Sequence, residues 1–256
     1  MRSFLLHRTP SNWPSNIELV STSRQGGASG HPYQSLNLAY HVDDDPSVVD
    51  RNRHTLEQAL ERRTSIFWLR QIHGDSVIEV KSTAPHAATD QSPIGDACWT
   101  EQDGVACAIM TADCLPVLFT NTAGTLVAGV HAGWRGMAAG ILEKTVSVLP
   151  EAPSELLAWL GPCIGFDAYE VSREVAEQVL EGVAESRQVS KASYRDGYVF
   201  LDLAAIAAQR LRQIGVRKFA SADRCTYSNP SHYFSHRRDG TTGRNVSLIY
   251  KRFKAA

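Results

Sequence analysis

The sequence predicts an α+β fold with mixed sheets. Three observations predict it. Short apolar runs of strand length recur, helical periodicity appears between only some of them, and no regular strand–helix alternation emerges that would favour a barrel or a doubly wound sheet. The chain of 256 residues is 43% hydrophobic, which supplies a sizeable core without help from disulfides or metal. A loop rich in small and polar residues is expected at 82–93 (STAPHAATDQSP), but it is short for a linker and strand-like segments flank it. A single domain spanning 1–256 is therefore expected.

Each element has its own signal. Asp45-Pro46 opens a helix, a capping acid followed by proline at the first helical position, with Val49, Leu56 and Leu60 on one face. Runs 66–69 and 77–80 read as strands around the tight segment RQIHGDS. Runs 105–110, 116–120 and 125–130 are apolar strand candidates, the last leading into His131. After Gly133 a helix is expected, with Ala138, Ile141, Leu142, Thr145, Val146 and Leu149 on one face. Ser172 is placed to cap a helix carrying Val175, Val179 and Leu180; Asp202 is placed to cap another that ends at Gly215. Run 246–250 is a final strand.

Composition narrows the function classes. A formal net charge of -1 gives no general electrostatic case for nucleic acid or an anionic membrane as partner. The N-terminal MRSFLLHRTPSNWPS lacks the apolar core of a signal peptide, and no run reaches the length of a membrane span. The five cysteines are odd in number and dispersed, with no CxxC pair, so a reduced cytoplasmic protein is expected.

The chemistry gathers at strand ends. Cys114 stands at the break between two apolar runs, beside Asp113. An isolated cysteine in such a run is commonly an inert buried thiol, yet strand ends and the loops after them are where sites are built. His131 ends a strand before the glycine-bracketed AGWRG, and His73 lies in a polar turn. Either histidine suits a structural role, but two imidazoles and a thiolate on three strand ends also make a three-ligand zinc site with an open fourth position. Copper fits less well: none of the nine histidines forms the His-x-His pairs that multi-copper sites use. If the strand alternates, Asp113 points away from Cys114 and supports the site instead of acting as a general base. Arg135 sits at a glycine-rich junction suited to an anion. The loop FSHRRDGTTGRN carries His236, Arg237, Arg238 and Arg244, and the polar STSRQGGASGHPYQSLNL carries Arg24 and Asn37; both are candidates to line a pocket or simply to be solvated.

In order along the chain, SRQGGAS, SLNL, QIHGDSV, TADCLPVLF, VHAGWRGMAAGIL, LGPCIGFDAYEV and FSHRRDGTTGR resemble the YfiH family, known also as laccase-domain or polyphenol oxidase proteins, peptidoglycan-editing factors and purine nucleoside phosphorylases. The resemblance runs from about residue 21 to 250. It implies a layered α/β sandwich with mixed sheets, similar in core to the catalytic domain of a deamidating bacterial toxin. It implies zinc held by His73, Cys114 and His131, the same three side chains serving catalysis. It implies phosphorolysis of adenosine, inosine and S-methyl-5′-thioadenosine with some adenosine deamination, so that the partners are purine nucleosides and phosphate. Arg135, Arg24, Asn37, Arg238 and Arg244 are then the candidates for substrate and phosphate. Two other readings stay open: a cysteine amide hydrolase acting on peptidoglycan precursors, with Cys114 as nucleophile and His131 as base, and a non-enzymatic partner in cell-wall synthesis.

Overall fold

Runs that are apolar at every position form strands buried on both faces. The computed structural model describes residues 4–61, 63–81 and 92–253; most of the loop expected at 82–93 lies outside them. The strands are β1 (Leu5–Arg8), β2 (Ile17–Thr22), β3 (Ser65–Phe67), β4 (Val77–Glu79), β5 (Ala97–Thr100), β6 (Val105–Thr111), β7 (Leu115–Asn121), β8 (Val127–Ala132), β9 (Leu156–Leu160), β10 (Glu170–Ser172), β11 (Ser190–Ala192), β12 (Tyr198–Leu201), β13 (Lys218–Ser221) and β14 (Asn245–Lys251). The helices are α1 (Pro46–Glu57), α2 (Trp134–Ala138), α3 (Ile141–Val148), α4 (Arg173–Leu180), α5 (Leu203–Gln213) and the single turn α6 (His236–Asp239).

Two mixed sheets stack face to face. One runs β1-β2-β14-β6-β3, the other β13-β9-β7-β8-β5-β4, and a small sheet β10-β12-β11 stands apart. Side-chain alternation sorts each central strand between layers. Val105, Cys107 and Ile109 of β6 meet Leu118 of β7 and Trp159 of β9 between the sheets. Ala106, Ala108 and Met110 turn outward to Leu56 of α1 and to Leu36 and Leu38. On the far side, Leu115, Val117 and Phe119 of β7 pack with Ile141 and Val146 of α3 and Ile206 and Leu211 of α5. The result is an α+β sandwich layered helix, sheet, sheet, helix.

The capping expectations divide. Asp45 accepts from the Ser47 N–H, and Asp202 from the Ala205 N–H, while Ser172 occupies the cap position of α4 without a capping bond. Leu60 lies beyond the end of α1 but still packs on the same cluster as Leu56. The single helix expected after Gly133 is two, α2 and α3. Gly140, at φ +82°, takes the left-handed conformation that stops one and starts the next. Gly215 ends α5 as expected, at φ +98°.

Candidate active site

The segment TADC is where the chain leaves one sheet for the other. β6 ends at Thr111 in the first sheet and β7 starts at Leu115 in the second, so residues 112–114 cross the gap between the sheets. Asp113 turns there at φ +92°, an uncommon conformation for a residue with a side chain. Cys114 emerges at the edge of the gap. His131, on β8, pairs opposite Pro116 of β7 and so lies beside it. His73 arrives from the loop after β3, itself at φ +62°.

Asp96, one residue before β5, joins these pieces. Its Oδ1 accepts from the His73 N–H (2.9 Å) and hydrogen-bonds His131 Nδ1 (2.8 Å); its Oδ2 accepts from the N–H groups of Ile72 (3.2 Å) and Gly74 (2.8 Å). The His131 N–H in turn donates to the Asp96 carbonyl at 2.7 Å. With Nδ1 so engaged, His131 keeps Nε2 for the site.

The ligand atoms of His73, Cys114 and His131 all lie within 4.8 Å of one another. The two imidazoles meet edge to face, centroids 4.7 Å apart. Gly133 makes room for this: a Cβ there would stand 3.0 Å from Cys114 Sγ and 3.2 Å from His73 Cδ2. Burial works against a thiolate at Cys114, but His131 and His73 outweigh it and bring the thiol down to about 6. Burial likewise works against an imidazolium at His131, yet the Cys114 sulfur and Asp96 raise it to about 9. Two nitrogens and a thiolate, one nitrogen oriented from behind by a carboxylate, suit a zinc site with an open position. Among the described residues this is the one such group of three found.

The trio lies in a cleft of about 520 Å³. Arg135, Arg237 and Arg244 line it, and none of them forms an ion pair with a carboxylate among the described residues. Arg135 stacks on Trp134 at 4.3 Å; Arg244 donates to the carbonyls of Thr242 and Gly243; Arg237 donates to those of Ala168 and Glu170. Met110, Ile164, Val171 and Val175 are also among the cleft's lining residues. His41 also faces the cleft, where desolvation, then Arg244 and Arg53, push it down to about 4 and leave it neutral at pH 7.

Of the five residues expected to bind substrate, Arg135 and Arg244 line the cleft. Arg24, Asn37 and Arg238 are not among its lining residues and are engaged elsewhere. Arg24 donates to the Gln34 and Pro230 carbonyls and pairs with Asp239; Arg238 donates to the carbonyls of Thr226, Tyr227 and Tyr233. Asn37 is buried and accepts the Arg244 N–H, touching the cleft through that backbone. Asp113 does not alternate along a strand but lies in the crossing between β6 and β7; it lines the cleft, and its carboxylate bonds the Thr226 hydroxyl and the Arg237 N–H. The sequence carries no local signal for Asp96 or His41, and Arg237 was indistinguishable from its neighbours.

A layered sandwich with a Cys-His-His trio at the sheet gap defines a recognisable class. A family model described as multi-copper polyphenol oxidoreductase laccase matches residues 18–252. A Shigella flexneri protein named purine nucleoside phosphorylase YfiH is 45% identical over 238 residues, 93% of this chain and 95% of its own length. A purine nucleoside phosphorylase of Pseudomonas aeruginosa is 44% identical over 237 residues, 93% and 94% of the two lengths. Among solved structures, a Neisseria meningitidis protein is 39% identical with TM-score 0.90, covering 98% of this chain and all of its own. YlmD from Geobacillus stearothermophilus is 30% identical with TM-score 0.91, covering 99% and 98%. The chain belongs to this laccase-like family, among its YfiH proteins. No helix among the described residues is long and apolar enough to cross a membrane.

The thiolate–imidazolium pair sets a pH signature. Because the Cys114 thiol sits near 6 instead of the usual 9, its thiolate persists above pH 6 and is lost as pH falls through that value. In metal-free protein, alkylation of Cys114 by iodoacetamide, followed by peptide mass spectrometry, should reach half its maximal rate near pH 6. A midpoint near 9, the usual thiol value, would contradict the pairing.

Proposed function

We propose that the protein is a zinc-dependent purine nucleoside phosphorylase acting on adenosine, inosine and S-methyl-5′-thioadenosine, with adenosine deamination as a side activity. The carrying observation is the His73–Cys114–His131 trio beside three guanidinium groups that have no carboxylate partner among the described residues, all in one cleft. The names of the relatives support the same reading. The cysteines, all free, accord with a reduced cytoplasmic setting.

In phosphorolysis the bond from C1′ to the purine nitrogen breaks, a phosphate oxygen bonds to C1′, and the electron pair leaves with the base, which takes up a proton. Positive charge builds on the sugar as in glycoside cleavage. Phosphate therefore has to be held in line, and that positioning removes much of the barrier. Arg135, Arg237 and Arg244 are the residues for it: Arg135 and Arg237 are exposed, Arg244 is partly buried, and a guanidinium without an acid partner favours a bound anion. Asn37 holds the Arg244 backbone, and Arg24 and Arg238 hold the loops around it, so these three serve as positioning residues. The apolar residues Ile164, Val171 and Val175 in the cleft lining suit a purine face. Neutral His41 offers an uncharged hydrogen-bonding group at pH 7. Zinc held by His73, Cys114 and His131 supplies Lewis-acid polarisation and water activation when bound. Deamination consumes adenosine and water and gives inosine and ammonia, with no need of phosphate.

A second reading is favoured by one observation. Asp96, His131 and Cys114 line up as orienting carboxylate, base and thiolate nucleophile, the arrangement of a cysteine amide hydrolase. A metal on the same thiolate would block that chemistry.

Purified zinc-loaded protein should convert adenosine and phosphate to adenine and ribose 1-phosphate, and should cleave inosine and S-methyl-5′-thioadenosine as well. Cys114→Ser should lose most zinc by elemental analysis and lose both phosphorolysis and deamination, while remaining folded. Intact nucleosides in phosphate buffer, together with hydrolysis of a muramyl-peptide precursor by metal-free protein, would hand the site to the second reading.

Arg135→Ala should raise KM for phosphate more than KM for nucleoside, by an amount corresponding to roughly 1.5–3 kcal/mol for one charge-assisted contact. Unchanged phosphate kinetics with collapsed nucleoside binding would reassign Arg135 to the sugar or base.

A further inference from the structure

Asp113 lines the cleft beside Cys114, with its carboxylate bonded to other segments, and it is the most heavily committed residue of the sheet crossing. Its Oδ2 accepts the Arg237 N–H at 2.7 Å, its Oδ1 accepts the Thr226 hydroxyl at 2.7 Å, and its carbonyl accepts the Ile164 N–H at 2.9 Å. Three segments distant in sequence are thereby tied to the residue next to Cys114. Two of them, through Ile164 and Arg237, form part of the cleft wall. The residue is 8% exposed, and its backbone is held at φ +92°, a conformation glycine would adopt more readily. An aspartate kept where glycine fits better points to a requirement for its side chain.

The chain of contacts continues beyond the first bond. Arg237, anchored at its backbone by Asp113, reaches across with its guanidinium to the Glu170 carbonyl (2.9 Å) at the start of β10, and lies over the Tyr169 ring at 5.4 Å. One end of the Arg237 residue is thus fixed relative to Cys114 and the other relative to the β10 wall. We infer that Asp113 is a positioning residue that sets Arg237 for an anionic co-substrate at a fixed offset from Cys114, its functional arm resting on the phosphorylase reading above. It contributes no proton and makes no contact with the reacting atoms.

The test uses Asp113→Gly, which removes the carboxylate while relieving the backbone, and Asp113→Asn, whose amide oxygen can take the Arg237 N–H while its NH2 donates to the Thr226 hydroxyl oxygen. Two readouts are needed on full-length protein. Amide hydrogen exchange at Arg237 reports the tether itself, and calorimetric titration with inorganic phosphate reports its consequence. Asp113→Gly should speed Arg237 exchange and weaken phosphate binding about tenfold, the scale of one charge-assisted hydrogen bond. Asp113→Asn should restore most of both, with zinc content unchanged throughout. Wild-type exchange at Arg237 in Asp113→Gly, undiminished phosphate affinity there, or global unfolding of that variant would overturn the inference. If wild-type protein binds no phosphate while Arg237 exchange still responds, the tether stands and the phosphorylase reading fails instead.

Discussion

The candidate site depends on one buried carboxylate. Asp96 is fully enclosed, and enclosing a charge is costly unless donors replace the lost water. Here four nitrogen partners do so, two on each oxygen: the N–H groups of three successive residues, 72–74, and the His131 ring. Burial by itself would raise Asp96, but the His131 ring and those N–H groups hold it below the usual carboxylate range. The same bonds that solvate the charge shape the site. Three consecutive amides can converge on one carboxylate only if the chain curls, and His73 sits in that curl at φ +62°. His131 is fixed at Nδ1, which leaves Nε2 to meet Cys114.

The two-sheet architecture brings these pieces within reach. β6 and β7 belong to different sheets, so the short crossing at 112–114 opens towards the gap between them. β8 delivers His131 beside β7, and Asp96 stands at the start of β5, which pairs with β8. Gln71 closes the other side: its side-chain amide exchanges hydrogen bonds with the backbone of Met110 at 2.9 Å each, continuing the β3–β6 pairing with a side chain where strand has ended. The loop that carries His73 is thus anchored at Gln71 to the first sheet and, through Asp96, to the second.

How much of this could be read from residues alone differs by element. Largely apolar runs such as 105–110 and 116–120 announced the central strands, because burial on both faces leaves no polar alternation to confuse them. Cys114, His73 and His131 were legible because reactive side chains stood at the ends of such runs. The strands β1, β2, β5 and β9 to β13 were not read, and Gly140 broke a helix whose apolar period continued across it. Asp96 was invisible for a physical reason: its four partners come from segments 22 to 35 residues away, and a single acid before a strand carries no local pattern. Arg24 and Arg238 resembled ligand arginines because a guanidinium that satisfies backbone carbonyls has the same sequence signature as one that awaits an anion.

The most direct measurement of this account is the zinc affinity of Asp96→Asn against wild type, by competition with a chelator, alongside circular dichroism. Loss of the carboxylate behind His131 and under the 72–74 curl should weaken zinc binding about 10–100-fold, as for other outer-shell partners of metal ligands, with the sheet signal retained. Undiminished zinc affinity in a folded Asp96→Asn protein would contradict the claim that this carboxylate organises the site.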